Sequence, residues 1–535
     1  MPARVDVVKA RGKRPTEAFN SDKLRHSVIA TCLSLRTPEG QAEEIAKSVC
    51  DGVLRWSSHR QEITSDDIRR IGADILEKQH PEAAYLYNII VIGSGAGGSP
   101  AASIAARSGK RVAIIEKDEF GGESPNWGEI PLGSMLHAAH IYDTAKQSAT
   151  FGLRTSTIGY NYPSLLSWRD TAIKRTGAAG NRRYYEKQGI SAFSGAAHFL
   201  SPNEISVNRR HLSAKKFLIA TGSEWQIPDI PGIAETPYHT PKTILNLTRP
   251  PKSLFIIGSD STATEIACLM SIFGTKVYLS DPSTRILPNY DSDVSELLSD
   301  QLQTQRGMTV LPQTKVVAVQ KEGLQKRITY TKSGTERTVK VDELLIADDR
   351  IPSTDMGLEN AGVSYTHHGI SVDQNLQTSA RHIYAAGACV HPTAATHDIL
   401  MQSRVAASNM LKTKPIVVEA HVPLQVTRTH PGVARVGLSE DDCLRRDLRV
   451  KTSVAPLTLT PRSNITDQRL GFVKLIADKK GALLGATVVA PHASEMIHEL
   501  ALAVRHNMTA HDLFSTPHEF SSWSEAIRVA ASKLL

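Results

Sequence analysis

Residues 88–117, NIIVIGSGAGGSPAASIAARSGKRVAIIEK, constrain the fold more tightly than any other stretch of the chain. Ile89 to Ile92 is a β-branched apolar run, three glycines follow at Gly93, Gly95 and Gly98, and an alanine-rich helical segment leads to Val112–Ile115 and then Glu116. Strand, glycine turn, helix, strand and acid in that order open a dinucleotide-binding βαβ unit. Gly93 permits the tight turn, Gly95 lets the backbone approach a pyrophosphate, and Gly98 lets helix pack on strand. The helix N-terminus faces the phosphates, while Glu116, followed by Lys117, stands where a ribose hydroxyl would donate. Pro100 falls in the first helical turns, where its missing N–H costs little.

The pattern recurs. Leu254–Ile257 reads as a strand, Gly258 as the turn, Thr264–Phe273 as the helix and Val277–Leu279 as the next strand, ending at Asp281. Gly258 and Asp281 are separated by the same distance in sequence as Gly93 and Glu116, so the two units share one template. In the second unit, marked by Gly258, Ala263, Glu265 and Asp281, Asp260 replaces the phosphate-facing glycine. A carboxylate there would repel a pyrophosphate and its Cβ would obstruct close approach. Asp348 and Asp349 add two acids at the corresponding later turn. Nicotinamide nucleotide binding is therefore expected to be weakened, and Asp281, without an arginine beside it, favours NAD over NADP.

A chain of 535 residues is too long for one core and implies about three to five domains. The 62 basic and 54 acidic residues leave a net charge of +8, spread without a long Lys/Arg run, which suits nucleotide phosphates and argues against nucleic acid. No apolar run reaches the roughly 18 residues of a membrane span, and the opening segment lacks the apolar centre of a signal peptide. A cytoplasmic location is expected. The five cysteines lie far apart, which excludes CxxC or CxxxxC pairs and local zinc knuckles, and no metal site is expected.

Residues 1–87 resemble the ATP-cone, a small, mainly helical nucleotide-sensing domain. The likeness rests on Val8, Lys9, Arg11, Gly12 and Lys13, then Phe19, Lys23, Leu24 and Ser27, then Ile63 to Ile68, and the closing 83–87 segment. It implies ATP or dATP as an allosteric effector, held through Val8, Lys9, Arg11, Gly12, Lys13 and Lys23; a cluster of cations near a glycine turn suits a triphosphate. Helical periodicity is expected over 22–32, 42–56 and 65–78.

From Asn88 onward the chain resembles the pyridine nucleotide-disulfide oxidoreductases, of the dihydrolipoamide dehydrogenase and mercuric reductase kind. The residues that carry this are the first glycine turn, Gly121-Gly122-Glu123-Ser124, Ala220-Thr221-Gly222, and the Gly387-Ala388 segment. The resemblance implies an α/β fold with two Rossmann-like domains, for FAD and NAD, and a C-terminal α+β dimerisation domain. The corresponding boundaries are 1–87 for the cone, 88–238 and 361–417 for the FAD domain, 239–360 for the NAD(P) domain and 418–535 for the dimerisation domain. FAD would be held by Gly93, Gly95, Gly98, Glu116, Lys117, Gly121, Gly122, Thr221, Gly222, Gly387 and Ala388; NAD by Gly258, Ala263, Glu265 and Asp281. Ala388 replaces a family aspartate and removes one hydrogen bond to flavin, worth about 1 kcal/mol. Cys389 reads as a small buried residue.

The catalytic positions diverge from the family. Ser124 and Glu129 occupy the places of its two redox cysteines, Gly133 that of its lysine, leaving Glu265 without a partner, and Phe520 that of its histidine, although the acid Glu525 remains. An alcohol and a carboxylate cannot exchange a disulfide. Glu129, if buried against a flavin ring, is expected to have a raised pKa and to donate a proton; His518 reads as a polar loop histidine. Two functions remain open. One is an FAD-dependent NAD(P)H oxidoreductase passing electrons directly to a small acceptor (a quinone, oxygen or a second nicotinamide), with Ser124, Glu129 and Glu525 as candidate catalytic residues. The other is a catalytically degenerate flavoprotein acting as a nucleotide or redox sensor, or as a regulatory partner of another protein. Either is expected to form a homodimer.

Overall fold

The unbroken hydrophobic run ahead of the first glycine turn becomes an inner strand, Leu86–Ile92, as a strand buried on both faces must. It lies parallel to Val112–Glu116 on one side and Arg210–Ile219 on the other. Ser191–Ser194 extends this sheet at one end, while Ile383–Ala385, far away in sequence, pairs parallel with Arg210–Ile219. The chain thus leaves the sheet and returns to it. Helices Ser99–Arg107 and Thr396–Leu411 lie over one face, in a core that includes Val91, Ala102, Ile114 and Ala406. The computed structural model describes the chain apart from residues 1–5, 9–16, 19, 35–38, 59, 61, 65–66, 69–70, 73, 77–85, 155–156, 178–179, 412–415 and 419–421.

A second sheet has four parallel strands in the order Thr309–Leu311, Lys276–Ser280, Ser253–Ile257 and Glu343–Ile346. Helix Ser261–Ile272 packs on one face, and three antiparallel strands spanning 314–341 contribute to the core on the other. The duplication inferred from spacing is a duplication of backbone. Gly93 and Gly258 have φ of 102° and 107°, and a Cβ on either would lie 2.1 Å from a carbonyl oxygen, that of Ala220 or Ala347. Only glycine fits such a position. Gly93 N–H donates to Ile115 O at 2.8 Å and Gly258 N–H to Ser280 O at 2.9 Å.

The third unit is a five-stranded antiparallel sheet, ordered Leu424–Thr427, Gly432–Gly437, Leu483–Ala490, Phe472–Ala477 and Lys451–Pro456. The hairpin expected at 472–489 is present. Helices Ala493–Arg505 and Glu525–Ser532 bury Ile497, Leu500 and Ile527 in its core. One further core joins all three units: Met135 and Leu136 of helix Glu129–Lys146, Ile266 and Leu269 of helix Ser261–Ile272, and Val433 and Val489 of the antiparallel sheet. That shared core aims the starts of two helices and the end of strand Leu424–Thr427 at one place.

At the N-terminus, Asp6–Val8 lies between Glu17–Ala18 and Glu62–Thr64. Helices Ser21–Ser34 and Glu39–Ser57 bury Val28, Ile45, Val49 and Val53 together with Leu76, and residues 67–68, 71–72 and 74–76 are helical. Val8 ends its strand and Lys23 is exposed on the first helix; Lys9, Arg11, Gly12 and Lys13 lie outside the described residues.

Candidate functional site

At the first turn, Glu116 is oriented by the chain itself. Ser94 donates its N–H and Oγ–H to Oε2 at 2.9 and 2.7 Å, and Asp118 N–H donates to Oε1 at 2.9 Å. Gly121 N–H donates to Ser94 Oγ at 2.9 Å, which ties the Gly121-Gly122 segment to the same point. Gly122, with φ 70°, comes so near Gly95 that a Cβ would lie 2.5 Å from the Gly95 Cα. One methyl group would fill this backbone cleft, and its bare peptide edges at a helix N-terminus suit a pyrophosphate. Gly98 opens the helix, and Lys117 sits apart, exposed and paired with Glu224 at 2.5 Å. Thr221 Oγ donates to Ser353 O at 2.7 Å beside Gly222, and Gly387 N–H donates to Gln402 Oε1 at 2.8 Å next to Ala388. Cys389 is fully buried, its thiol pushed upward by burial, in accord with its expected packing role.

The second turn repeats the clamp in miniature: Ser259 Oγ donates to Asp281 at 2.5 Å and Ser283 N–H at 2.7 Å. Asp260 behaves differently from expectation. Instead of standing free toward a ligand, its carboxylate caps helix Ser261–Ile272 by accepting from Ala263 N–H at 2.8 Å. Burial pushes its pKa up to about 7 despite the nearby Arg350, and burial with the adjacent Asp349 pushes Asp348 up to about 6. Arg350 holds Glu123 through both guanidinium nitrogens, Nη1 to Oε1 at 3.0 Å, and lies 4.6 Å from the centre of the Trp225 ring.

Ser124 and Glu129 gather around Thr396, and Glu265 and Gly133 around Arg428. Thr396 Oγ donates to Glu129 Oε1, and the Ser124 and Thr396 hydroxyls are 3.3 Å apart. Two expectations fail here. Glu129 is not a raised acid: although burial pushes upward, hydrogen bonds from Thr396 and Ser124 and the charge of Arg428 prevail, and its pKa is lowered. Nor is Glu265 alone. Arg428 N–H donates to Glu265 Oε1 at 2.7 Å, with the Arg428 Nε 3.5 Å from the same oxygen. A Cβ at Gly133 would meet Arg428 Nη1 at 3.4 Å. Glu265 is almost wholly buried, and desolvation still keeps its pKa raised.

Near the C-terminus, Glu525 is buried and bound by Arg528, with contacts from 2.5 to 3.1 Å. His518 is more than a loop histidine: its Nε2 meets Glu499 at 2.8 Å. Phe520 is 72 % exposed. All five cysteines are unpaired and buried. No group of three or more metal-ligating side chains occurs, and no helix is long and apolar enough to cross a membrane, among the described residues.

Two clamped turns on duplicated parallel sheets, joined to an antiparallel sheet, define a two-dinucleotide flavoprotein architecture. Residues 87–409 match the pyridine nucleotide-disulphide oxidoreductase family and residues 424–531 its dimerisation domain, and the chain belongs to that family. Mercuric reductase of Staphylococcus aureus is 31% identical over 448 residues, 83% of this chain and 82% of that one. Dihydrolipoyl dehydrogenase of Thermus scotoductus is 33% identical over 456 residues, 84% of this chain and 97% of that one. The fold also matches solved structures. The HOCl-induced flavoprotein disulfide reductase RclA of Escherichia coli, as its Cu(II) complex, superposes with a TM-score of 0.75 at 23% identity, covering 84% of this chain and 99% of that one. LpdA of Mycobacterium tuberculosis gives 0.75 at 24% identity, covering 84% and 100%.

Three residues at the junction escaped the sequence reading: Thr396, Arg428 and Arg350 in its role as the partner of Glu123. None has a local signature, since each acts on a group far away in the chain. The one available signal was the glycine at position 133, which left a buried carboxylate short of a cation.

Proposed function

We propose that the protein is an FAD-dependent oxidoreductase acting on NAD(P)H that works without a redox disulfide and delivers electrons to a small acceptor such as a quinone, oxygen or a second nicotinamide. The observation that carries this reading is the hydrogen-bonded trio Ser124–Thr396–Glu129, oxygen atoms at the two positions where the family's sulfurs would lie. An alcohol and a carboxylate cannot form or exchange a disulfide.

FAD bound at the first turn would supply a two-electron carrier. Gly93, Gly95, Gly98, Gly121 and Gly122 would line its pyrophosphate, Glu116 would accept from its ribose, and Thr221, Gly222, Gly387 and Ala388 would border the rest. NAD(H) would use Gly258, Ala263 and Asp281, with Arg350 offsetting the acid at 260. With a quinone as acceptor the balance is NAD(P)H, one proton and quinone giving NAD(P)+ and quinol. Glu129, held as a carboxylate, would orient the Thr396 hydroxyl and carry negative charge, leaving the proton to come from water. The N-terminal unit would be an ATP-cone that binds ATP or dATP through Lys9, Arg11, Lys13 and Lys23, and the C-terminal sheet would make a homodimer of cytoplasmic location.

A sensor without turnover is the second reading, favoured by one feature: the Asp260 carboxylate takes the Ala263 N–H that a pyrophosphate would otherwise meet. Anaerobic mixing with NADH separates the two. Loss of flavin absorbance within seconds supports the enzyme; an unchanged spectrum at millimolar NADH favours the sensor. For the cone, Lys9→Ala with Arg11→Ala should abolish thermal stabilisation by ATP, and a double variant that still shifts would remove the assignment.

A further inference from the structure

Buried carboxylates demand a counter-charge, and Glu265 has one from an unexpected direction. It sits at the fifth position of helix Ser261–Ile272, 3 % exposed, with Glu129 close enough to act on it electrostatically. Two acids facing each other without a cation would repel and would lose much of their hydration. On the helix beginning at Glu129, residue 133 is glycine, so that helix contributes no side chain at this level. Arg428 fills the gap from the other side: it follows strand Leu424–Thr427 and brings Nη1 over the Gly133 backbone. Its main-chain N–H and its guanidinium both engage Glu265 Oε1, and its charge also acts on Glu129. Thr427, its neighbour, is itself anchored by Ser261 at 2.6 Å and Tyr290 at 3.0 Å, so the guanidinium is carried on a fixed backbone.

We infer that Arg428 is a positioning residue of the flavin pocket: lent by the antiparallel sheet, it supplies from above Gly133 the cation that neutralises Glu265 and sets the electrostatic potential at the Ser124–Thr396–Glu129 trio. The inference rests on the proposed flavin site. Its role is to fix charge beside the redox centre, and a guanidinium suits that role because it stays protonated throughout the working range and presents several donors in one plane.

The test compares the purified holoprotein with Arg428→Met, Arg428→Lys and the relocation variant Gly133→Lys/Arg428→Met, reading the flavin midpoint potential and visible spectrum. Removing the cation should shift the potential to more negative values and move the flavin absorbance maximum; Arg428→Lys should retain most of the native values; and a lysine restored at 133 should recover them. Should Arg428→Met fail to fold because it strands Glu265, Arg428→Met/Glu265→Gln removes both charges and should show the same negative shift relative to Glu265→Gln alone. A potential unchanged on loss of Arg428 in a folded, yellow protein, or a relocation variant no nearer to native than Arg428→Met, would overturn the inference while leaving the flavin assignment intact. A native protein that takes up no FAD would remove the flavin assignment on which it rests.

Discussion

Arg350 reaches out of the second parallel sheet unit to grip Glu123, the residue immediately after the Gly121-Gly122 pair, with Trp225 under its guanidinium. The pair fastens the two nucleotide turns to each other. Arg350→Met should therefore loosen their relative placement and cost about 1–2 kcal/mol, the range of a hydrogen-bonded but partly solvated ion pair. Equilibrium urea unfolding measures the loss, and a variant as stable as the parent would show that the grip is incidental.

The two serine–acid clamps give a direct way to assign the turns. Ser94→Ala removes the Oγ–H donor to Glu116, and Ser259→Ala the donor to Asp281. A hydrogen bond to a charged group is worth about 1.5–3 kcal/mol. Ser94→Ala should raise the FAD dissociation constant by roughly tenfold or more while leaving NADH affinity alone, and Ser259→Ala should do the reverse. Titration of the two nucleotides by calorimetry decides; equal effects from both variants would contradict the assignment.

Lys474 is buried among carboxylates from two units: Asp291 at 3.1 Å, Asp293 at 2.7 Å and Glu440 at 2.7 Å. These bonds hold its pKa up, so the amine stays charged. Lys474→Met leaves the acids uncompensated and should destabilise by about 3–5 kcal/mol. Denaturant midpoints test this.

Acid should loosen the contact between helix Glu129–Lys146 and the antiparallel sheet. His140 and His430 face each other with ring centres 5.2 Å apart, beside the Asp143–Arg306 ion pair. Burial, with the neighbouring charge of His430 and Arg306, brings His140 from 6.5 down to about 4, and burial also lowers His430. A depressed folded-state pKa means that the stabilisation is full above the unfolded value and is lost as protons bind on the way down. Thermal midpoints should fall between about pH 6.5 and 4, and His140→Leu should flatten that part of the profile.

Thiol counting checks the sulfur chemistry. Every cysteine is buried and unpaired, and burial raises the thiol pKa of Cys268 to about 12. An aromatic disulfide reagent should label native protein slowly and, after unfolding without any reductant, should titrate all five thiols. A lower count would reveal a disulfide that the described structure lacks.

Much of the backbone was legible in sequence because it is written locally. The runs before Gly93 and Gly258, the glycines themselves and the terminal acids Glu116 and Asp281 each obey a short-range steric or hydrogen-bonding rule, and both turns lie where that rule puts them. The electrostatics of the junction were not. Glu129 departs from its sequence context because Thr396, Ser124 and Arg428 outweigh its burial, and Glu265 because its partner arrives from the antiparallel sheet. Asp260 shows a different limit: an aspartate before a helix is also a helix cap, and that local bond claims the side chain.

Arg428 is made long after both nucleotide turns have left the ribosome, since it lies beyond the strand Ile383–Ala385 that completes the first sheet. Docking of strand Leu424–Thr427 is what brings Glu265 its Arg428 partner, by main-chain N–H and guanidinium alike. The last sheet to be synthesised thus completes the surroundings of a carboxylate carried by the second.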